Sequence, residues 1–268
     1  MSVLLTGASG GLGREAAAAM RAAGRDVLAP GRDQLDLGSL ESVRAFAAAV
    51  DGPVEAIVCN AGMQSPGRTA FTEDGIELIF QVNHLGHFLL VALLRDRLAP
   101  NARVVVVSSG THDTAQRTGM PKPDYRGARA LAHPAPSDSP TEGRRRYTAS
   151  KLCNVLFAYE LARRGPVRAN VFDPGLMPGT GLARDYGPLQ RFVWDRVLPV
   201  VAPVVPIMST PERSGRALAR LATDPALAHV TGAYFLGERP RGSSEDSYDR
   251  DKARDLWETS EALVERYL

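Results

Sequence analysis

Tyr147 and Lys151 stand four residues apart in the run YTASKLCNVLFAYEL, a spacing that puts a phenol and an amine on one helix face with Cβ atoms about 5–6 Å apart. An ammonium there favours the phenolate and draws the tyrosine pKa toward neutrality, so the hydroxyl becomes a usable acid or base. Lysine is scarce: Lys122, Lys151 and Lys252 are three of the 32 basic residues, and unlike arginine they can change protonation state. A second Tyr-x-x-x-Lys occurs at Tyr248 and Lys252, but in the polar stretch SSEDSYDRDK, where it reads as a solvated helix start. Tyr147 instead opens an apolar-faced helix, after a strand ending in Val107-Ser108-Ser109. Ser109, at the carboxyl end of that strand, can hydrogen-bond a substrate oxygen.

A glycine cluster, Thr6-Gly7-Ala8-Ser9-Gly10-Gly11-Leu12-Gly13, follows an expected strand and opens an expected helix. Missing side chains let the backbone turn sharply and approach a pyrophosphate, which then rests on the free N–H groups and positive end of the helix. His84, His87 and His112 have no carboxylate or cysteine spacing suited to a metal, so they read as packing or surface residues and no metal site is expected. Cys153 reads as a buried helix residue close enough to Tyr147 for alkylation to mislead.

These residues need elements to position them. Strands are expected near Val3–Leu5, Asp26–Ala29, Glu55–Cys59, Arg103–Val107, Val167–Phe172 and Ala233–Leu236, and helices near Gly13–Ala23, Leu40–Val50, Gly75–Leu98, Arg146–Arg163, Pro211–Thr223 and Lys252–Tyr267. The alternation implies an α/β fold: one domain over residues 1–268, a doubly wound parallel sheet with helices on both faces. The link PGRDQLDLGS is short for such a fold, with a further strand, if present, at about Gln34–Leu37. Residues 110–145 read as a polar surface insertion. Residues 176–208, apolar and broken by Pro188, Pro199, Pro203 and Pro206, read as a substrate lid, with a dimer interface or membrane-surface contact as the alternative.

Composition narrows the partners. Apolar residues make up 44% of the 268, enough for a full core, and a net charge of +2 offers no strong field for nucleic acid or an anionic membrane. Cys59 and Cys153 form no disulfide framework, no leader is expected before the first strand signal, and no apolar run is long enough to span a bilayer. The expectation is a cytoplasmic protein, monomer or homo-oligomer, acting on a small molecule.

In order along the chain, the motifs resemble the short-chain dehydrogenase/reductase family over essentially its whole length. Thr6 to Gly13 is similar to the Thr-Gly-x-x-x-Gly-x-Gly signature, and the additional Gly10 makes it equally compatible with the Thr-Gly-x-x-Gly-x-x-Gly form of the longer epimerases and dehydratases. Asn60-Ala61-Gly62 looks like the Asn-Ala-Gly element, Asn83 in QVNHLGHF the helical asparagine, Ser109 the catalytic serine, Tyr147 and Lys151 the Tyr-x-x-x-Lys pair, and Pro174-Gly175 the Pro-Gly turn. The resemblance implies a Rossmann fold and hydride transfer between a nicotinamide and a carbonyl or secondary alcohol of a hydrophobic small molecule. It assigns catalysis to Asn83, Ser109, Tyr147 and Lys151, with Asn83 holding a relay water. It places the cofactor against Thr6, Gly7, Ser9, Gly10, Gly11, Leu12, Gly13, Asn60, Ala61, Gly62, Tyr147, Lys151, Pro174 and Gly175, with Asp36 and Leu37 flanking the adenine.

Arg14 and Arg32 can both reach a phosphate on the adenine ribose, whereas Asp33, twenty residues after Gly13, suits the free hydroxyl of NAD. Arg32 comes first after the strand, so NADP is expected and NAD is the alternative. Within the family, YTASKLCNVLFAYEL, DPGLMPGTGLAR and the long gap between Ser109 and Tyr147 resemble the group of retinol dehydrogenases and light-dependent protochlorophyllide reductases. The photoreductases carry a functional cysteine directly after the Pro-Gly turn; Leu176 stands there in this chain, which argues against protochlorophyllide chemistry. Two other classes share part of this pattern. An epimerase or dehydratase would share the tyrosine and lysine but need a larger C-terminal portion, and a non-catalytic NADP-binding regulator would keep the glycine loop and lose the tetrad.

Overall fold

The computed structural model describes residues 1–65, 67–177 and 209–268. One seven-stranded sheet runs through them in the order β2-β1-β3-β4-β5-β6-β7, parallel except for β7. The strands are β1 (Ser2–Leu5), β2 (Asp26–Leu28), β3 (Val54–Cys59), β4 (Leu98–Val107), β5 (Arg168–Asp173), β6 (Tyr234–Leu236) and β7 (Arg239–Arg241). The main helices are α1 (Gly11–Ala22), α2 (Leu40–Ala49), α3 (Leu78–Phe80) running through a π turn at Gln81–Leu85 into α4 (Gly86–Leu93), α5 (Ala128–Ala132), α6 (Pro140–Arg164), α7 (Pro211–Thr223) and α8 (Arg250–Val264).

Strand alternation sorts side chains between two cores. Val3, Leu5, Val105, Val107 and Phe172 pack with α1 and α7, whereas Leu4, Val104, Val106, Ala169 and Val171 pack with α4, α6 and α8. Because β1 lies between β2 and β3, the chain reverses direction in the sheet at the β1/β3 boundary, where open α/β sheets hold ligands beyond the carboxyl strand ends.

Helix ends follow local chemistry. Ser39, Ser139, Thr210 and Asp249 cap α2, α6, α7 and α8 through side-chain oxygens, and Ser139-Pro140-Thr141-Glu142 sets the start of α6 two turns earlier than the apolar pattern suggested. The segment after β4 therefore ends near residue 139, and it is tied down: Tyr125 and the Ala128 N–H both donate to Asp255, and Glu77 N–H donates to the Ala132 carbonyl. Gly75, at φ +74°, turns the chain before α3, so the helix starts later than expected, on the Glu77 carboxylate that accepts from Phe80 N–H.

One expectation needs correction, and one strand was not expected. Gln34–Leu37 forms turns rather than a strand: Leu35 and Leu37 are buried against the helix layer, and Gly86 lets α4 come so close that a Cβ there would stand 2.8 Å from the Leu37 carbonyl. β7, on the other hand, carried no strand signal, because an edge strand of sequence Arg-Pro-Arg has neither alternation nor apolar content. The expected lid at 176–208 lies outside the described residues beyond Met177, although Ser209 N–H returns to the Leu176 carbonyl at 2.9 Å.

Candidate active site

The glycine loop is shaped by internal contacts. Gly7 takes φ +69°, and a Cβ on Gly13 would stand 2.2 Å from the Gly7 carbonyl and 2.7 Å from Asn60 Nδ2. Both glycines let the loop close onto α1 and the end of β3. Ser9 and Gly10, by contrast, face solvent, and a Cβ on Gly10 would meet only the Gly7 carbonyl at 3.7 Å. α1 begins there with no capping side chain and no acidic residue in its first turn, unlike the four capped helices. An uncapped, positively polarised helix end behind an exposed glycine loop fits a dinucleotide pyrophosphate.

Thr6 and Asn60, both expected to touch cofactor, are committed to the protein. The Thr6 hydroxyl accepts from Asn60 N–H at 3.0 Å and Ala61 N–H at 2.9 Å, and Asn60 Nδ2 donates to the Thr6 and Gly7 carbonyls at 2.8 and 3.1 Å. With both lone pairs taken, Thr6 Oγ1 donates its hydrogen to His87 Nε2 at 2.9 Å. His87 therefore carries its proton on Nδ1, facing the Asn83 carbonyl at 3.3 Å, and burial holds its pKa down at about 4. A histidine that the sequence left as packing thus links the glycine loop to the π turn.

Asn83 is buried on that turn. Its Oδ1 accepts from Met63 N–H at 2.7 Å, and Nδ2 donates to the Met63 carbonyl and to Ser150 Oγ, each at 2.9 Å. Ser150 in turn donates to the Tyr147 carbonyl at 2.7 Å. Both amide hydrogens are committed, so the side chain ties the Asn60–Met63 turn to α6, and a relay water would have to use the main-chain carbonyl instead.

Tyr147 and Lys151 lie at the carboxyl edge of the sheet, 8% and 5% exposed. Lys151 Nζ stands 5.6 Å from the Tyr147 ring centroid and donates to the Val107 carbonyl at 3.4 Å, while a Cβ on Gly62 would lie 3.5 Å from it. Burial draws the Lys151 ammonium down to about 8, with Asp173 acting against it. The two serines divide: Ser108 is buried with its hydroxyl given to the Lys151 carbonyl at 2.8 Å, and Ser109 lies half-buried at the strand end, accepting from Thr111 N–H at 3.3 Å. The His112 Nδ1–H donates to the Ser109 carbonyl at 2.7 Å and Nε2 accepts from Ser244 N–H at 3.1 Å, so this ring is neutral with a set tautomer.

Asn154, which donates to the Val107 carbonyl at 2.9 Å, carried a legible signal, since it lies one turn beyond Lys151 on the same helix face. His87 and His112 carried none, because their partners are distant in the chain. Pro174 and Gly175 form the turn after β5, with Gly175 at φ +75° and the Pro174 carbonyl accepting from Ser214. Arg14 and Arg32 are exposed, paired with Glu15 at 3.2 Å and Asp36 at 3.3 Å, and Asp33 is also on the surface. Tyr248 is 54% exposed and stacked on Tyr159, and Lys252 pairs with Asp246, so the second Tyr-x-x-x-Lys belongs to a surface turn. Cys59 and Cys153 are fully buried, with burial pushing both thiols up, which removes the expected alkylation hazard. Among the described residues no group of His, Cys, Asp or Glu is arranged to hold a metal, and no helix is long and apolar enough to cross a membrane.

Fold and site together define an oxidoreductase scaffold of the doubly wound class. The chain is 34% identical to protochlorophyllide reductase B of Hordeum vulgare, covering 98% of this chain and 78% of that protein. It is 33% identical to protochlorophyllide reductase of Avena sativa, covering 98% and 99%. No protein-family model matches the chain. An uncharacterised protein from Mycobacterium Paratuberculosis superposes with a TM-score of 0.69 at 29% identity over 98% of this chain and 93% of that one. The 3-alpha-hydroxysteroid dehydrogenase of a Pseudomonas species, complexed with NADH, gives 0.63 at 23% identity over 88% and 94%, and so shares the fold. The chain belongs to the short-chain dehydrogenase/reductase family of oxidoreductases.

Proposed function

We propose that the protein carries out reversible hydride transfer between NADP(H) and a carbonyl or secondary alcohol of a hydrophobic small molecule. The observation that carries this reading is the buried Lys151 ammonium, anchored on the Val107 carbonyl and held beside the Tyr147 ring at the strand edge that also carries the glycine loop. The dinucleotide, when bound, supplies or accepts the hydride. Tyr147 donates the proton to the substrate oxygen on reduction and takes it on oxidation; Lys151 favours the phenolate; Ser109 orients the oxygen. Asn83 acts by fixing the turn that carries Gly62 against α6.

The reading is supported by the relatives, named as protochlorophyllide reductases, yet protochlorophyllide is not the proposed substrate, because Leu176 offers no thiol after Pro174-Gly175. Incubation with NADPH and a panel of apolar and polar ketones and aldehydes tests it by cofactor oxidation, with protochlorophyllide under illumination as a further arm. Turnover of apolar carbonyls in the dark is the expected result; turnover only of illuminated protochlorophyllide, or of nothing, sinks it.

Cofactor preference has its own test. An exposed pair such as Arg32–Asp36 is worth at most about 1 kcal/mol, so the guanidinium is free to exchange Asp36 for a ribose phosphate. Arg32→Ala is expected to weaken NADPH binding roughly tenfold, about 1.4 kcal/mol, and leave NADH unchanged. Equal wild-type affinities for the two cofactors would count against NADP and make Asp33 the ribose ligand.

A further inference from the structure

Asp173 closes β5, two residues past Val171 on the face that packs against α6, and is 4% exposed. Its Oδ2 accepts from the Tyr234 hydroxyl at 2.6 Å and its Oδ1 from Gly175 N–H at 2.9 Å. Oδ2 also lies 3.5 Å from where a Cβ on Gly110 would stand, against the turn that follows Ser109. The strand register brings this end of β5 to Lys151, because the Val107 carbonyl that receives Nζ belongs to the residue paired with Phe172.

Lys151 and Asp173 are also among the few buried charged side chains of the described residues. The buried charged side chains are Glu77, Arg103, Lys151 and Asp173. Glu77 pairs with Arg146, and Arg103 donates to the Leu221 carbonyl. Lys151 and Asp173 have no direct ion-pair partner among the described residues, and the β4–β5 register sets the Asp173 end of β5 next to the Val107 carbonyl that holds Nζ.

We propose that Asp173 is a positioning residue of the active site: clamped by Tyr234 and Gly175 beside the Ser109–Gly110 turn, its carboxylate is the counter-ion that keeps Lys151 an ammonium next to Tyr147. The inference rests on Tyr147 and Lys151 being the acid–base pair. Both carboxylate oxygens already have donors, so Asp173 acts through its field and leaves the Lys151 N–H groups to the Val107 carbonyl and a cofactor ribose. Burial works the other way, drawing the ammonium down to about 8 with Asp173 opposing it.

The other ionisable groups around Lys151 do not take this role. Tyr147 precedes it on α6. His87, across the π turn, is held neutral by burial, as is His112 on the turn after β4, and Asp113 beside His112 bonds with Ala115 and Gln116. Tyr234 of β6 donates to Asp173, and burial pushes its hydroxyl up. Glu77, before α3, belongs to Arg146. From α8 and the turn before it, Asp255 accepts from Tyr125 and Ala128, and Lys252 pairs with Asp246 and Asp249.

Three lysines make the test direct. In the full chain labelled with carbon-13 at lysine Cε, a pH titration yields three signals, with the Lys151 signal assigned by Lys151→Arg. Asp173→Asn is expected to lower the Lys151 midpoint by about one pH unit while Lys122 and Lys252 stay in place. Tyr234→Phe, which removes a hydrogen bond but no charge, should leave the Lys151 midpoint where it is. With a turnover substrate, the alkaline limb of kcat/KM should move down with the midpoint in Asp173→Asn. An unmoved midpoint in Asp173→Asn overturns the proposal, and so does an equal fall in Tyr234→Phe, which would make the clamp rather than the charge responsible. If circular dichroism shows Asp173→Asn unfolded, Asp173→Ser, which keeps an acceptor for Gly175, gives the same comparison. Turnover that survives Tyr147→Phe would overturn the acid–base reading separately, without touching these midpoints.

Discussion

Tyr147→Phe is expected to lower kcat by about 10²–10⁴-fold, the range that a positioned proton donor contributes, while dinucleotide affinity stays at the wild-type level. Only the hydroxyl is removed. The ring keeps its packing on α6, and Lys151 keeps the Val107 carbonyl as acceptor, so the anchor of the ammonium survives the substitution. Tyr248→Phe is the internal control, because that ring is 54% exposed and its hydroxyl accepts from Ser243 N–H on a surface turn away from Lys151. Steady-state kinetics together with fluorescence titration of NADPH separate the two effects. Wild-type rates in Tyr147→Phe, or equal losses in both variants, would remove Tyr147 from the chemistry.

Gly13→Ala is the second large effect, expressed in stability and cofactor binding together. The added Cβ would sit 2.2 Å from the Gly7 carbonyl and 2.7 Å from Asn60 Nδ2, distances that no van der Waals contact tolerates. The Gly7 turn must open, and with it the bonds of Asn60 to Thr6 and Gly7. Overpacking of this kind costs about 1–3 kcal/mol, or roughly 2–12 °C in Tm for a chain of this size. Dinucleotide affinity should fall as well, because the same turn presents the uncapped end of α1. Gly10→Ala, with its Cβ 3.7 Å from its nearest neighbour, should hold the wild-type Tm. Thermal unfolding of both variants decides: a Gly13→Ala protein as stable as Gly10→Ala would show that the loop gives way without strain.

Elements that rest on local pattern were legible. β1, β3 and the Val104–Val107 end of β4 are β-branched or aliphatic runs, α7 has a Thr210 cap followed by proline, and the Tyr147–Lys151 pair is a matter of helical period. Boundaries slipped where a cap or a turn outranked hydrophobicity, as at Ser139 before α6 and Gly75 before α3. The absent strand at Gln34–Leu37 illustrates a further limit. Its buried leucines answer to the close approach of α4 at Gly86, and no window around residue 35 contains that helix.

By itself the sequence determined the reactive residue types, their spacing along single helices and strand ends, and the α/β alternation that brings strand ends to one edge. These follow from chemistry within a few residues of each position. Only the tertiary structure decided which polar groups are free and which are committed: Thr6 to Asn60, Ala61 and His87, Asn83 to Met63 and Ser150, Ser108 to the Lys151 carbonyl, and Asp173 to Tyr234. The physical reason is that a hydrogen bond across the sheet depends on strand register and crossover geometry. Asn83 and Ser150 are 67 residues apart, and Asp173 and Tyr234 61, so neither pairing leaves a mark on its local sequence.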